Sequence, residues 1–285
     1  MKHALITGVT GTLGTTLSRL LLQDGWRVTG ISRDEQKQRQ MPGHENLHLR
    51  LADVRDGHAV ERALDGLTPN VIFHLAALKC VDTLEFHPEE AFATNVLGTG
   101  NMIDIAKQCG SRLVFTSTDK AAYPINAYGM SKALAERMVL KAGFQALRYG
   151  NVIGSRGSFI PNLILSLKSE GKAYITHPEM TRFWMSIGQA ARFVLSVLES
   201  TQVGKIQVPE GIQAASLPNL VAAVASFCGV EKYETVEIGI RPGEKIHETL
   251  VTSEEGELMT SADKAVQFHP KSLERFLIDV LQDKV

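Results

Sequence analysis

The sequence predicts an α/β protein, a Rossmann-like doubly wound parallel sheet with a smaller α/β lobe appended. Three observations carry this expectation. Short apolar runs alternate with helical patterns through the first half of the chain. A glycine-rich turn, Gly8-Val9-Thr10-Gly11-Thr12-Leu13-Gly14, joins the first apolar run to the first helical one. The length, 285 residues, suits one such sheet plus a lobe better than two independent domains.

Ala4–Thr7 reads as a strand, and Leu13–Gln23 as a helix with Leu13, Leu17, Leu20 and Leu21 on one face. Arg27–Ser32, Leu47–Leu51 and Val71–Leu75 are the next apolar runs. A long helical stretch covers Pro88–Cys109. Then come a strand at Arg112–Thr116, a helix at Ala127–Ala142 and a strand at Ala146–Tyr149. This β-α alternation implies right-handed crossovers and a parallel sheet covered on both faces. Residues 1–150 therefore form a dinucleotide-binding domain. From Asn151 the pattern changes, with glycines, a proline and a basic residue close together in Gly150–Pro161. Residues 151–182 and 205–285 form the second lobe. Helical spacing over Ile187–Ser200 returns residues 183–204 to the first domain, and Ser272–Val285 has the pattern of a terminal helix. No internal repeat or low-complexity segment interrupts the chain.

Composition excludes several classes. Apolar residues make up 44% and charged residues 21%, as in a globular protein with a sizeable core. A formal net charge of −1 gives no field that would favour nucleic acid or an anionic membrane. The three cysteines, Cys80, Cys109 and Cys228, are odd in number and widely spaced, which argues against a disulfide framework and a zinc site. The expectation is a reducing, cytoplasmic compartment and no metal. No run of about 18 apolar residues marks a membrane span, and the apolar run at the N-terminus is too short for a signal peptide.

The glycine loop has the spacing G-x-x-G-x-x-G. Glycines permit a tight turn, let backbone approach a pyrophosphate, and allow the helix to pack close to the strand. The helix N-terminus then offers N–H groups and a positive dipole end. Gly8, Thr10, Gly11, Thr12, Leu13 and Gly14 are thus candidate cofactor contacts. The second strand ends in Ser32-Arg33-Asp34. An acid here holds the ribose hydroxyls of NAD, whereas an Arg accommodates the 2′-phosphate of NADP. Ser32 and Arg33 come first, so NADP is expected, with NAD left open by Asp34. Asp53, followed by Val54, is placed to meet the adenine or else to cap a helix. Ala76 and Ala77 follow the fourth strand and complete the cofactor set.

The strongest signal is Phe115-Thr116-Ser117-Thr118-Asp119-Lys120, followed by Tyr128-Gly129-Met130-Ser131-Lys132. Tyr128 and Lys132, four residues apart at the start of a helix, face the same way. An ammonium near a phenol lowers its pKa, and such a tyrosine can take a proton from a sugar hydroxyl as hydride leaves for a nicotinamide. Thr118 at the end of the fifth strand can orient the same oxygen.

On these residues the chain resembles the extended short-chain dehydrogenases. Within them it resembles the UDP-N-acetylglucosamine 4,6-dehydratases of the inverting, 5-epimerising branch. The likeness is carried by Ser117–Lys120 with Tyr128 and Lys132, by Arg148–Val152 with Gly154–Ser158, by Met180–Trp184, and by Ile240–Lys245. The resemblance implies a lyase acting on a UDP-sugar with a retained cofactor, with the second lobe binding the substrate. Tyr128, helped by Lys132 and Thr118, would take the O4 proton; Lys120 would take the C5 proton; Asp119 would protonate the departing C6 hydroxyl. Lys79, Asn151, Arg156, Arg182, Arg241 and Glu244 become candidate substrate contacts, the arginines through bidentate pairing with phosphate. Asn95 resembles the buried structural asparagine of the superfamily, and His74 and His247 are expected to be structural. Membrane-anchored, C5-retaining relatives tend to carry Met at the position of Tyr128. Relatives commonly form dimers or hexamers, so a homo-oligomer is implied. The alternatives are a UDP-sugar 4-epimerase or a 5,6-dehydratase on the same scaffold and, from another class, a non-catalytic NADP-binding protein. An epimerase needs no acid–base pair acting at C5 and C6, which sets Asp119 and Lys120 against it.

Overall fold

The computed structural model describes residues 1–155, 159–200, 203–265 and Leu277. The expected terminal helix over 272–285 lies outside these residues apart from Leu277. The chain divides into two compact units, Met1–Arg148 with Ala191–Gln207, and Tyr149–Ala190 with Val208–Val285.

In the first unit the strands are β1 (His3–Thr7), β2 (Arg27–Ser32), β3 (Leu47–Leu51), β4 (Val71–His74), β5 (Arg112–Thr116) and β6 (Gln145–Leu147). The helices are α1 (Thr12–Gln23), α2 (Glu35–Arg39), α3 (Gly57–Leu64), α4 (Val81–Phe86), α5 (Pro88–Ala91), α6 (Gly98–Cys109) and α7 (Ala127–Lys141). The second unit adds β7 (Asn151–Val152), α8 (Phe159–Glu170), β8 (Lys172–Ile175) and β9 (Thr181–Met185). Helix α9 (Ile187–Ser196) leads into the returning segment of the first unit and its strand β10 (Ile206–Gln207). Strand β11 (Gln213–Ser216) and helix α10 (Leu217–Phe227) belong to the second.

The first unit is a seven-stranded sheet in the order β10-β6-β5-β4-β1-β2-β3, every pair parallel. That is the doubly wound arrangement expected from the alternation of elements. Its central strands are buried along their whole length, as a parallel sheet with both faces covered requires. Phe115, Ile72 and Leu5 pack on one face with Met102 and Val139; Val114, Phe73 and Ile6 pack on the other with Leu17 and Leu21. The buried face of α1 is Gly14, Leu17, Ser18 and Leu21. A Cβ on Gly14 would lie 2.5 Å from the Gly8 carbonyl oxygen, so only glycine lets this helix close on its loop. Leu13 and Leu20 are consequently only half-buried.

The long helix expected over Pro88–Cys109 is broken. Residues Phe92–Leu97 are π-helical, between α5 and α6. Such wider turns are common at functional sites, and this one presents Asn95. The Asn95 side chain accepts from the Leu78 N–H at 2.9 Å and donates to the Leu78 carbonyl at 3.0 Å. It also reaches the Ser131 hydroxyl at 3.0 Å, as expected of a structural asparagine. Two further expectations are corrected. Strand β9 pairs with β7 and β11 inside the second unit, so the segment returning to the first begins at Ala191 rather than 183. There Val194 and Val197 join the core beside Ala4 and Val114, and the Arg112 guanidinium donates to the carbonyls of Val197, Leu198 and Ser200. Strand β6 ends at Leu147, not Tyr149.

In the second unit β7, β9 and β11 form a three-stranded sheet in the order β11-β9-β7. Trp184 of β9 packs with Leu163 and Leu167 of α8 and Leu220 and Val224 of α10.

A hydrogen-bond relay ties the ends of β1 and β4. The Thr7 hydroxyl oxygen accepts from the N–H groups of Leu75, at 3.1 Å, and Ala76, at 3.0 Å. Its own hydrogen is then donated to His74 Nδ1, 2.8 Å away. That assignment makes His74 Nε2 a donor to the Thr99 hydroxyl at 3.1 Å, and Thr99 donates on to the Asn95 carbonyl at 2.6 Å. Burial, aided by the charge of Lys132, pulls His74 down to about 3 from its ordinary 6.5, which keeps it neutral. Below pH 6.5 the unfolded chain takes up a proton that folded His74 refuses until about pH 3, so stability falls with pH across that window. His74→Gln should lose less stability between pH 6.5 and 4 in urea titrations, by up to about 1.4 kcal/mol per pH unit. Parallel curves for the two proteins would contradict this role.

Candidate active site

The C-terminal ends of the parallel strands form one edge of the first unit, and the cofactor and catalytic candidates gather there. Gly8 turns the chain after β1 with φ +66°, and a Cβ on it would stand 3.0 Å from the backbone of Ala76. The glycine loop and the Ala76-Ala77 segment therefore touch through bare backbone. Gly11 is the N-cap of α1 and has no side chain to satisfy the first turn. A helix N-terminus beside a close-packed glycine loop fits the pyrophosphate of a dinucleotide. Thr10 is buried, and Thr12 and Leu13 are half-buried at the same turn.

At the end of β2, Ser32 is buried and Arg33 half-exposed. Asp34 is the N-cap of α2: its carboxylate accepts from the Lys37 N–H at 2.9 Å and pairs with Lys37 Nζ at 2.6 Å. Asp53 caps no helix; Asp56 caps α3. The Asp53 carboxylate is held by Arg55 at 2.8 Å and by Arg33 at 3.4 Å. Val54 is a core residue, its side chain against Gly98 and its carbonyl accepting from Asn101. Only its backbone remains for a cofactor.

Thr118, Asp119, Lys120 and Tyr128 form one cluster. Thr118 ends the extended stretch after β5 and starts a short 3-10 turn, Asp119–Ala121. Its hydroxyl donates to Asp119 Oδ1 at 2.9 Å. Lys120 Nζ donates to the same oxygen at 3.1 Å. The Asp119 carboxylate is fully buried, while Lys120 stays 17% exposed, enough to meet a ligand. Tyr128 stands beside the Thr118 side chain, near Lys120 and Asp119. Asn126, the N-cap of α7, accepts from the Gly129 N–H at 2.6 Å, and Glu85 accepts from the Ala127 N–H at 2.6 Å. A Cβ on Gly129 would collide with the Lys120 carbonyl oxygen, so a glycine after Tyr128 is what brings α7 against the Lys120 turn.

The electrostatics correct one expectation, that Lys132 favours the Tyr128 phenolate. Its ammonium instead donates to the Thr116 carbonyl at 2.7 Å and lies 3.9 Å from the centre of the Phe115 ring. Burial pulls Lys132 down to about 7, against the opposing charge of Glu136. Burial likewise pushes Tyr128 up to about 12. Lys120 acts the other way, so it is the cation that favours phenolate. Glu136, one turn after Lys132, is bound bidentately by the buried Arg148, with contacts of 3.0 and 2.7 Å. Sequence reasoning passed over Glu136 and Asn126, although the four-residue spacing from Lys132 and an Asn before a helix were visible signals. Gln38 and Glu85, which act across tertiary contacts, carried none.

The substrate candidates fare unevenly. Lys79 is exposed after β4, and Asn151 is half-buried in β7. Arg156 lies outside the described residues. Arg182 is not a free phosphate-binding group. It is buried, and its guanidinium donates to the carbonyls of Thr181 and Ile246 and faces the buried Glu248 at 3.9 Å. Lys245 approaches the other Glu248 oxygen at 3.7 Å. Arg241 is exposed, and the Glu244 carboxylate accepts from its backbone N–H at 3.2 Å, closing a local turn. His247 bonds the Thr181 hydroxyl at 2.9 Å, a structural contact as expected.

A family model described as "Polysaccharide biosynthesis protein" matches residues 4–270. The UDP-glucose 4-epimerase of Rickettsia rickettsii (strain Sheila Smith) is 40% identical, with 92% of this chain and 80% of that protein covered. The crystal structure of Pen from Bacillus thuringiensis matches with a TM-score of 0.91 at 28% identity, covering 98% of this chain and 97% of that one. The dTDP-glucose 4,6-dehydratase DesIV from Streptomyces venezuelae, solved with NAD and TYD bound, shares the fold at a TM-score of 0.81 and 20% identity, covering 99% and 98%. The chain belongs to the polysaccharide biosynthesis protein family and is an extended short-chain dehydrogenase/reductase related to the UDP-glucose 4-epimerases.

Proposed function

We propose that the chain is a 4,6-dehydratase acting on UDP-N-acetylglucosamine, with inversion at C5. The observation that carries this reading is the Asp119–Lys120 pair, joined at 3.1 Å, with Thr118 and Tyr128 beside it. Oxidation at C4 alone needs a base for the hydroxyl proton. Loss of water across C5 and C6 needs a second base and an acid, and Asp119 and Lys120 supply both.

The glycine loop together with Ser32 and Arg33 would hold a nicotinamide dinucleotide, NADP on this reading, which would supply the reversible hydride transfer for oxidation at C4 and reduction at C6. Tyr128 takes the O4 proton, its phenolate favoured by Lys120 against burial. The C4 ketone then acidifies the C5 proton. One proton transfer across the Lys120–Asp119 hydrogen bond turns the ion pair into a neutral amine and a protonated carboxyl. Lys120 then removes the C5 proton and Asp119 protonates the departing C6 oxygen, so that loss of water restores the ion pair. A solvent-derived proton delivered to C5 from the opposite face inverts that centre, and Tyr128 releases the O4 proton to solvent, so every group returns to its starting state. Tyr128 itself, where C5-retaining relatives tend to carry Met, supports the inverting branch. Of the diphosphate candidates, Asn151, Arg156 and Arg241 are retained.

A second reading is UDP-glucose 4-epimerase, favoured by the 40% identity to a protein of that name. The two readings separate on products. In deuterated water without added cofactor, proton NMR of UDP-N-acetylglucosamine should show a new C6 methyl signal and deuterium at C5. A C4 epimer with no methyl signal would select the epimerase.

Asp119→Asn and Lys120→Ala should each slow dehydration by at least about a hundredfold, while each purified variant keeps its bound nicotinamide. Loss of the nucleotide from either would contradict the assigned roles.

A further inference from the structure

Strand β2 ends on Ser32, and Gln38 of the short helix α2 reaches back to it. The Gln38 side chain is buried. Its Nε2 lies 2.8 Å from the Arg50 carbonyl oxygen, 3.2 Å from the Ser32 carbonyl oxygen and 3.0 Å from the Ser32 hydroxyl oxygen. Carbonyl oxygens only accept, so the amide must face this group with its NH2. The Ser32 hydroxyl, sharing that nitrogen, is an acceptor toward Gln38. Its own hydrogen is thereby left to donate outward.

The surroundings select what receives that hydrogen. Arg33 is the next residue, its guanidinium half-exposed and tethered at one nitrogen 3.4 Å from Asp53. Asp34, whose carboxylate could otherwise accept from a ribose diol, is bound by the backbone and side chain of Lys37. The strand end thus presents a hydroxyl donor and a guanidinium, with the neighbouring carboxylate withdrawn. A phosphate monoester offers only acceptors and negative charge. A ribose diol can accept from the serine but must also place its own hydrogens, and the Asp34 carboxylate that would take them is bound by Lys37.

We infer that Gln38 sets the cofactor preference of this chain: by holding the Ser32 hydroxyl as a donor, it lets Ser32 and Arg33 together receive the 2′-phosphate of NADP. The inference rests on the proposed NADP preference and adds to it the residue that enforces it. Gln38 acts through Ser32 and is a positioning residue.

The test is a set of binding measurements on protein freed of nucleotide. NADPH and NADH are titrated by nicotinamide fluorescence into the natural protein, Gln38→Met, Ser32→Ala and the double variant. The natural protein should prefer NADPH. Gln38→Met should weaken NADPH by about tenfold, with NADH affinity nearly unchanged. The double variant should bind NADPH no more weakly than Ser32→Ala, because both changes remove one interaction. Should Gln38→Met fail to fold, Gln38→Asn, whose amide is one methylene too short to reach Ser32, reads the same ratio. An unchanged NADPH-to-NADH ratio in the Gln38 variant, or independent losses that multiply in the double variant, would overturn the inference while leaving the NADP preference intact. A natural protein that prefers NADH would overturn both.

Discussion

Parallel register is the constraint on which the first unit depends. Because β1, β2, β4 and β5 all run the same way, their C-terminal ends share one edge, and each delivers its own candidate segment there. Strand β1 brings the glycine loop, β2 brings Ser32 and Arg33, β4 brings Ala76 and Ala77, and β5 brings Thr118 to Lys120. Residues far apart in sequence become neighbours without any long-range device beyond backbone pairing. The Thr7–His74–Thr99–Asn95 relay then locks the edge, since it fixes the Ala76 loop from β1 and reaches the helix face on which Ser131 and Tyr128 sit.

Burial organises the charges behind that edge. Lys132, Glu136 and Arg148 are nearly inaccessible, and Glu136 is shared between a bidentate guanidinium and the field of Lys132. A buried pair of this kind is weak evidence of stabilisation but strong evidence of positioning, because removing one member strands the other. The arrangement directs Lys132 to the Thr116 carbonyl and leaves Lys120, at the more open end, as the cation beside Tyr128. Two lysines thus divide a role that sequence spacing assigns to one.

Much of this is legible in the sequence alone. The alternation of apolar runs and helical patterns, together with the glycine loop, specifies the parallel sheet, because buried parallel strands such as Val71–His74 are continuous apolar runs. The Thr118, Asp119, Lys120 and Tyr128 cluster is visible as two short segments because a strand end and a helix start carry them. The features that escape a sequence reading depend on tertiary placement. The π-helical segment at Phe92–Leu97 leaves no mark in a helical pattern. The engagement of Arg182 by backbone carbonyls, of Asp34 as a cap, and of Lys132 by Thr116 depends on side-chain direction, which spacing alone does not give.

Epimerases and 4,6-dehydratases of nucleotide sugars share the oxidation at C4 and part at the next step. An epimerase returns hydride to C4 from the other face, whereas in the proposed dehydration the Asp119–Lys120 pair would prepare C6 to receive it. The most direct test is to supply UDP-N-acetylglucosamine deuterated at C4 and to locate the label in the product by NMR and mass spectrometry. Dehydration through this pair requires the deuterium to appear in the C6 methyl group, within the molecule that lost it. Deuterium found back at C4, with C6 still hydroxylated, would contradict the proposed elimination and make the chain an epimerase.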